Sequence, residues 1–77
     1  MKKLLLVLHL LDDNNVSYNI INEETQLRLE LSQDGKYFNW VTIGENNKIA
    51  IGVDQNCGWV YICEEQFEQY ILQKSKN

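Results

Sequence analysis

Turn-forming clusters recur along the chain at near-regular intervals: "DDNN" at 12–15, "NEET" at 22–25, "SQDGK" at 32–36, "GENNK" at 44–48 and "DQNCG" at 54–58. The segments between them are short for helices and right for strands joined by tight turns, the pattern of an antiparallel meander. Side-chain alternation supports the same reading. "TQLRLEL" sets Leu27, Leu29 and Leu31 against Gln26, Arg28 and Glu30, and "VSYNII" sets Val16, Tyr18 and Ile20 against Ser17 and Asn19. "KIAIGVD" puts Ile49, Ile51 and Val53 opposite Ala50 and Gly52. A period of two is what a strand with one buried face requires.

The two ends depart from this rhythm. In "EEQFEQYILQKSKN", Phe67, Tyr70 and Ile71 fall at helical spacing, with Glu64 and Glu65 in the first turn and Lys74 and Lys76 at the end. Such a segment is an amphipathic helix whose charges match its dipole. The first run, "LLLVLHLL", is apolar with no clear period. As a helix it would carry Lys2 and Lys3 at its positive end and Asp12 and Asp13 at its negative end, the reverse of what the dipole favours. A strand over residues 3–11, turning at "DDNN" into "VSYNII", is therefore expected. The fold class is α+β in one domain, residues 1–77. Its meander has five or six strands, as a small sheet or partly open barrel, with one C-terminal helix packed on it.

Lys2 and Lys3 before an apolar run imitate a secretory leader, but no small-residue cleavage site follows, and Asp12 and Asp13 come at once. The run is also too short to span a bilayer. Two cysteines, Cys57 and Cys63, do not make a disulfide framework. Free thiols in the cytoplasm are the expectation.

Little in the chain suggests catalysis. A nucleophilic cysteine needs a base in reach. The single histidine, His9, lies inside the first apolar run, where a partly buried structural role is expected. Cys57 sits in "QNCG" between two strand-like runs, which reads as the tip of a hairpin. Two cysteines and one histidine do not supply a zinc site, and there is no glycine-rich phosphate loop. No enzyme, cofactor or metal is expected.

Charge and aromatic placement say more. Between residues 4 and 73, eleven acids face only Arg28, Lys36 and Lys48, a net −8. In a meander successive turns alternate between the two ends of the sheet. Asp12, Asp13, Asp34 and Asp54 are thus expected on one rim, and Glu23, Glu24, Glu45, Glu64 and Glu65 on the other. The central strands are apolar on both faces. Val41 and Ile43 oppose Phe38 and Trp40, and Val60 and Ile62 oppose Trp59 and Tyr61, with only Ala50 and Gly52 between them. The result is a trough, shallow in the middle and aromatic at both sides. One helix covers one face, so the other is covered by an N-terminal hairpin, by a partner, or by a second copy of the chain.

These features read as a non-enzymatic acidic binding protein. It would inhibit by occupying a basic protein surface, such as one that handles nucleic acid. Asp12, Asp13, Asp34 and Asp54 would steer association, and Phe38, Trp40, Trp59 and Tyr61 would anchor it. The alternative is an assembly subunit that homodimerises through the aromatic face. Direct binding to nucleic acid or to an anionic membrane is opposed by the charge of the body.

Overall fold

The computed structural model describes residues 2–53 and 58–75. It has the order α1 (Lys2–Asp13), β1 (Ser17–Asn22), β2 (Gln26–Gln33), β3 (Lys36–Gly44), β4 (Ile49–Val53), β5 (Gly58–Ile62) and α2 (Glu64–Ser75). The five strands form one antiparallel sheet in chain order, β1-β2-β3-β4-β5. This is the α+β meander with a C-terminal helix that the turn spacing implies, with five strands in an open sheet. The expected hairpin tip at Cys57, and the placement of Asp54, lie outside the described residues.

The β2–β3 turn shows how sequence sets the register. Asp34 has φ 53° and Gly35 φ 78°. Two consecutive positive φ values define the turn whose twist matches that of paired strands, and Asp-Gly is the sequence that tolerates them. Gln33 accordingly pairs with Lys36 across the turn.

The first run is a helix, which corrects the strand expected over residues 3–11. Its charges do oppose the dipole, with no acid in the first turn and no base in the last. That conflict costs about 0.3–1 kcal/mol per charge at an exposed end. Burying a Val or Leu side chain returns about 1.5–3 kcal/mol. Val7 and Leu11 are fully buried, and Leu4, Leu8 and Leu10 pack against the same core. Burial wins. Leu4, Val7, Leu8 and Leu11 form an i, i+3, i+4, i+7 stripe, hidden in the sequence because the opposite face is also leucine-rich. "DDNN" ends this helix rather than turning a hairpin. Asn15 takes φ 58°, Val16 N donates to Leu11 O at 2.9 Å, and Asn15 N donates to Asp12 O at 3.2 Å. This is a Schellman cap, with buried Val16 closing over Leu11. His9 is exposed on this helix, not partly buried in a strand.

At α2, Cys63 N donates to the Gln66 side chain at 2.9 Å, one half of a capping box with Cys63 at the cap, and Phe67 N donates to Cys63 O at 3.0 Å, the first turn of the helix. Phe67 and Ile71 are its buried residues. They join Val7 and Leu11 of α1 and Leu29, Leu31, Val41, Ile43, Ile49 and Ile51 of the sheet in one cluster. Both helices therefore lie on the same face of the sheet. Among the described residues, no N-terminal hairpin covers the other face. Among the described residues, no helix is long and apolar enough to cross a membrane.

One register shift matters for the site. Leu31 pairs with Asn39 and Ser32 with Tyr37, so Phe38 is an extra residue in a β-bulge. Phe38 packs against the helix-side core, its ring 6.4 Å from that of Tyr70 on α2. It does not share a face with Trp40, as strict alternation would have it.

The buried stripe of α1 makes a direct prediction. Leu11→Ala should cost about 2–5 kcal/mol in urea denaturation. Leu5→Ala, on the exposed side of the same helix, should stay within about 0.5 kcal/mol. Equal losses at both positions would mean that this stripe is not the packed one.

Candidate binding face

With β2 to β5 in register, the side chains pointing away from the helices line up in two rows. One row runs Arg28, Thr42, Ala50 and Tyr61, each paired with the next across the strands. In the other, Glu30 pairs with Trp40, and Gly52 with Trp59. Trp59 and Tyr61 are 55% and 54% exposed. Their rings meet edge to face at 4.9 Å between centroids. A groove of about 510 Å³ opens on this face over Ala50, the small residue of β4 in the first row.

Gly52 has a specific role. The Trp40 indole occupies the space that a Cβ here would need, with Nε1 2.8 Å and Cε2 2.9 Å from that position. Trp40 is further fixed through its neighbour Asn39. The Asn39 amide donates to Gly52 O at 3.0 Å and to Tyr70 Oη at 2.8 Å, while its oxygen accepts from Trp40 N at 2.8 Å. One side chain at the bulge thus ties β3, β4 and α2 together beside the groove. Burial holds the Tyr70 hydroxyl above its ordinary 10.0. The Asn39 hydrogen bond pulls it back, and nearby Tyr37 adds to the rise.

Two cations lie on the rings of this face. The Arg28 guanidinium is 4.7 Å from the Trp40 ring centroid, and the Lys48 ammonium is 5.3 Å from that of Tyr61. Each contact is worth about 0.5–1 kcal/mol at an exposed site. Arg28 also has Glu30 at 3.8 Å, a long surface pair of little energetic weight. Thr42 is only 6% exposed and lines the groove.

The structure brings together three of the aromatic residues singled out from sequence, Trp40, Trp59 and Tyr61, and places Phe38 on the other side of the sheet. Asp12 and Asp13 end α1 and Asp34 occupies the β2–β3 turn, all exposed and at the same end of the sheet. Glu23, Glu24 and Glu45 fall in turns at the opposite end, where α2 begins with Glu64 and Glu65. Among the described residues, no three His, Cys, Asp or Glu side chains converge as metal ligands would. Sequence reasoning missed Arg28, Lys48 and Thr42. The alternation of "TQLRLEL" already put Arg28 on the face opposite Leu29, but its position over Trp40 depends on the β2–β3 register.

The geometry generates two predictions. Gly52→Ala places a methyl group 2.7 Å from Asn39 Oδ1 and should cost about 1–3 kcal/mol. Tryptophan emission should shift as the Trp40 indole is displaced. Unchanged emission and stability would mean the indole does not rest on Gly52. Tyr70→Phe removes the acceptor for Asn39 and should cost about 1 kcal/mol at neutral pH. Because the folded-state value is raised, the unfolded chain releases this proton first. The Tyr70 contribution is therefore full below pH 10.0 and lost as pH climbs through the raised value. Urea titrations should show the gap between wild type and variant narrowing on the alkaline side; a widening gap would contradict the sign.

No protein-family model, curated protein or solved structure matches this chain.

Proposed function

We propose that the chain is a non-enzymatic binding protein whose uncovered sheet face docks on a protein partner and inhibits it by occupancy. The observation that carries this reading is the placement of both helices on one face, which leaves Trp59 and Tyr61 more than half exposed beside Trp40 on the other. Exposed aromatic patches mark interfaces, and Trp and Tyr are the residues that most often anchor them. The acids at the two ends of the sheet frame this face. They favour a partner with basic margins, such as a protein that handles nucleic acid, and hasten the encounter. A reducing, cytoplasmic setting goes with the free, exposed thiol of Cys63.

A second reading is a homodimer through the same face. The observation favouring it is that Arg28 and Lys48 share the face with Glu30 and Glu45, so a two-fold copy could pair opposite charges.

Capture at low salt with the immobilised chain, beside a Trp59→Ser/Tyr61→Ser variant, tests docking. A basic protein held in stoichiometric amount by the wild type and released by salt should fall at least about tenfold with the variant, as loss of anchor residues implies. Equal retention by both chains would remove the proposal. Sedimentation equilibrium separates the second reading, for which the mass must be twice 9.1 kDa.

A further inference from the structure

The groove differs chemically from the surface around it. The chain carries a net charge of −4, yet the charged side chains lining the groove are Arg28, Lys48 and Glu45, a net +1. Neither cation is strongly engaged. Among the described residues, the one ion pair of Arg28 is the long one to Glu30, and Lys48 makes none. Both sit over aromatic rings, so positive charge and flat apolar surface are presented side by side. The floor adds a polar group. Thr42 is more than nine-tenths buried and lines the groove.

We propose that this groove binds a nucleoside monophosphate. The base stacks on the exposed Trp59 ring, and the phosphate is held by Arg28 and Lys48, which stand over the Trp40 and Tyr61 rings. The Thr42 hydroxyl bonds the ligand from the floor, and Glu45 at the mouth accepts from ribose hydroxyls. A volume of about 510 Å³ lies within the usual range of small-molecule sites. A neutral sugar would leave both cations unused. A nucleic-acid strand would leave the groove across rims carrying Glu23, Glu24 and Glu45 at one end or Asp12, Asp13 and Asp34 at the other. Each further phosphate would then meet carboxylates instead of counterions to release. The charge layout selects a single nucleotide.

This inference goes beyond the docking reading and does not rest on it, since its test involves no protein partner. The chain has two tryptophans, so proton–nitrogen correlation spectra give two indole signals, both from this face. The full chain is titrated with adenosine 5′-monophosphate, and separately with adenosine and with inorganic phosphate. Both indole signals should shift saturably with the monophosphate, with a Kd of about 1 mM or tighter. Either half alone should bind at least about tenfold more weakly, the worth of one charge-assisted contact. Lys48→Met, at an exposed position, should weaken the monophosphate about tenfold and leave adenosine unchanged. Thr42→Val should also weaken it, with the amide spectrum confirming the fold of each variant. Absence of saturable shifts would overturn the proposal. So would phosphate or adenosine binding as tightly as the whole nucleotide, or a Lys48→Met chain that binds like the wild type. An oligonucleotide binding more tightly per nucleotide than the monophosphate would overturn the choice of a mononucleotide.

Discussion

The packing of α1 and α2 side by side on one face of the sheet is the constraint on which the other features depend. Val7, Leu11, Phe67 and Ile71 fill the space above Leu29, Leu31, Val41, Ile43, Ile49 and Ile51. A chain this small buries only about 60–65% of its unfolded surface, so it can complete a single core and no more. Once both helices are committed to that core, nothing among the described residues is left to cover the opposite face. Every residue out of phase with Leu29, Val41 and Ile51 is then delivered to an open surface. Trp40, Thr42, Ala50, Gly52, Trp59 and Tyr61 share one face for that reason, and the aromatic groove is a consequence of where the helices go.

The bulge at Phe38 couples the two faces. Without the extra residue, strict alternation would send Phe38 outward, away from Tyr70. With it, Phe38 joins the helix-side core, and the Asn39 amide lies where it reaches Gly52, Tyr70 and the Trp40 backbone at once. A hydrogen bond of this kind contributes about 1 kcal/mol, but its geometric effect is larger than its energy. It fixes the strand just before Trp40, whose indole then settles on Gly52. The groove wall is thus positioned from the helix side of the sheet.

How much of this could be read from the residues depended on whether the signal was local. The strands and their order follow from turn clusters and two-residue alternation, which act within a few residues; Asp34 and Gly35 fix one hairpin outright. The terminal helix was legible because Phe67, Tyr70 and Ile71 stand alone among polar neighbours. The first helix was not, because leucines on both sides of the stripe erase its period. Its end charges oppose the dipole at about 0.3–1 kcal/mol each, and the several side chains it buries outweigh them at about 1.5–3 kcal/mol each. Phe38 was misplaced because a bulge leaves no mark in the alternation itself. Trp40, Trp59 and Tyr61 could be grouped from sequence, since each strand's phase sets its face. Arg28 and Lys48 could not be placed on the rings, because that requires the register between strands and the path of the β3–β4 turn.

Those two cations change the meaning of the acidic composition. Counted along the chain, the bases look scattered and outnumbered; placed in space, two of the three in the body stand over rings on one face. At physiological ionic strength charges are screened beyond about 8 Å, so what a ligand senses is set by its own few neighbours and not by the net charge. A short anion on the groove meets Arg28 and Lys48, with Glu45 in the lining and Glu30 3.8 Å from the Arg28 guanidinium. A protein large enough to span the face, within a molecule of 32 × 28 × 21 Å, meets the acids at both ends as well. A nucleotide in the groove would place its phosphate where a docking partner's side chains must enter. Occupancy by one would then exclude the other, and the two forms of binding would be coupled with opposite sign.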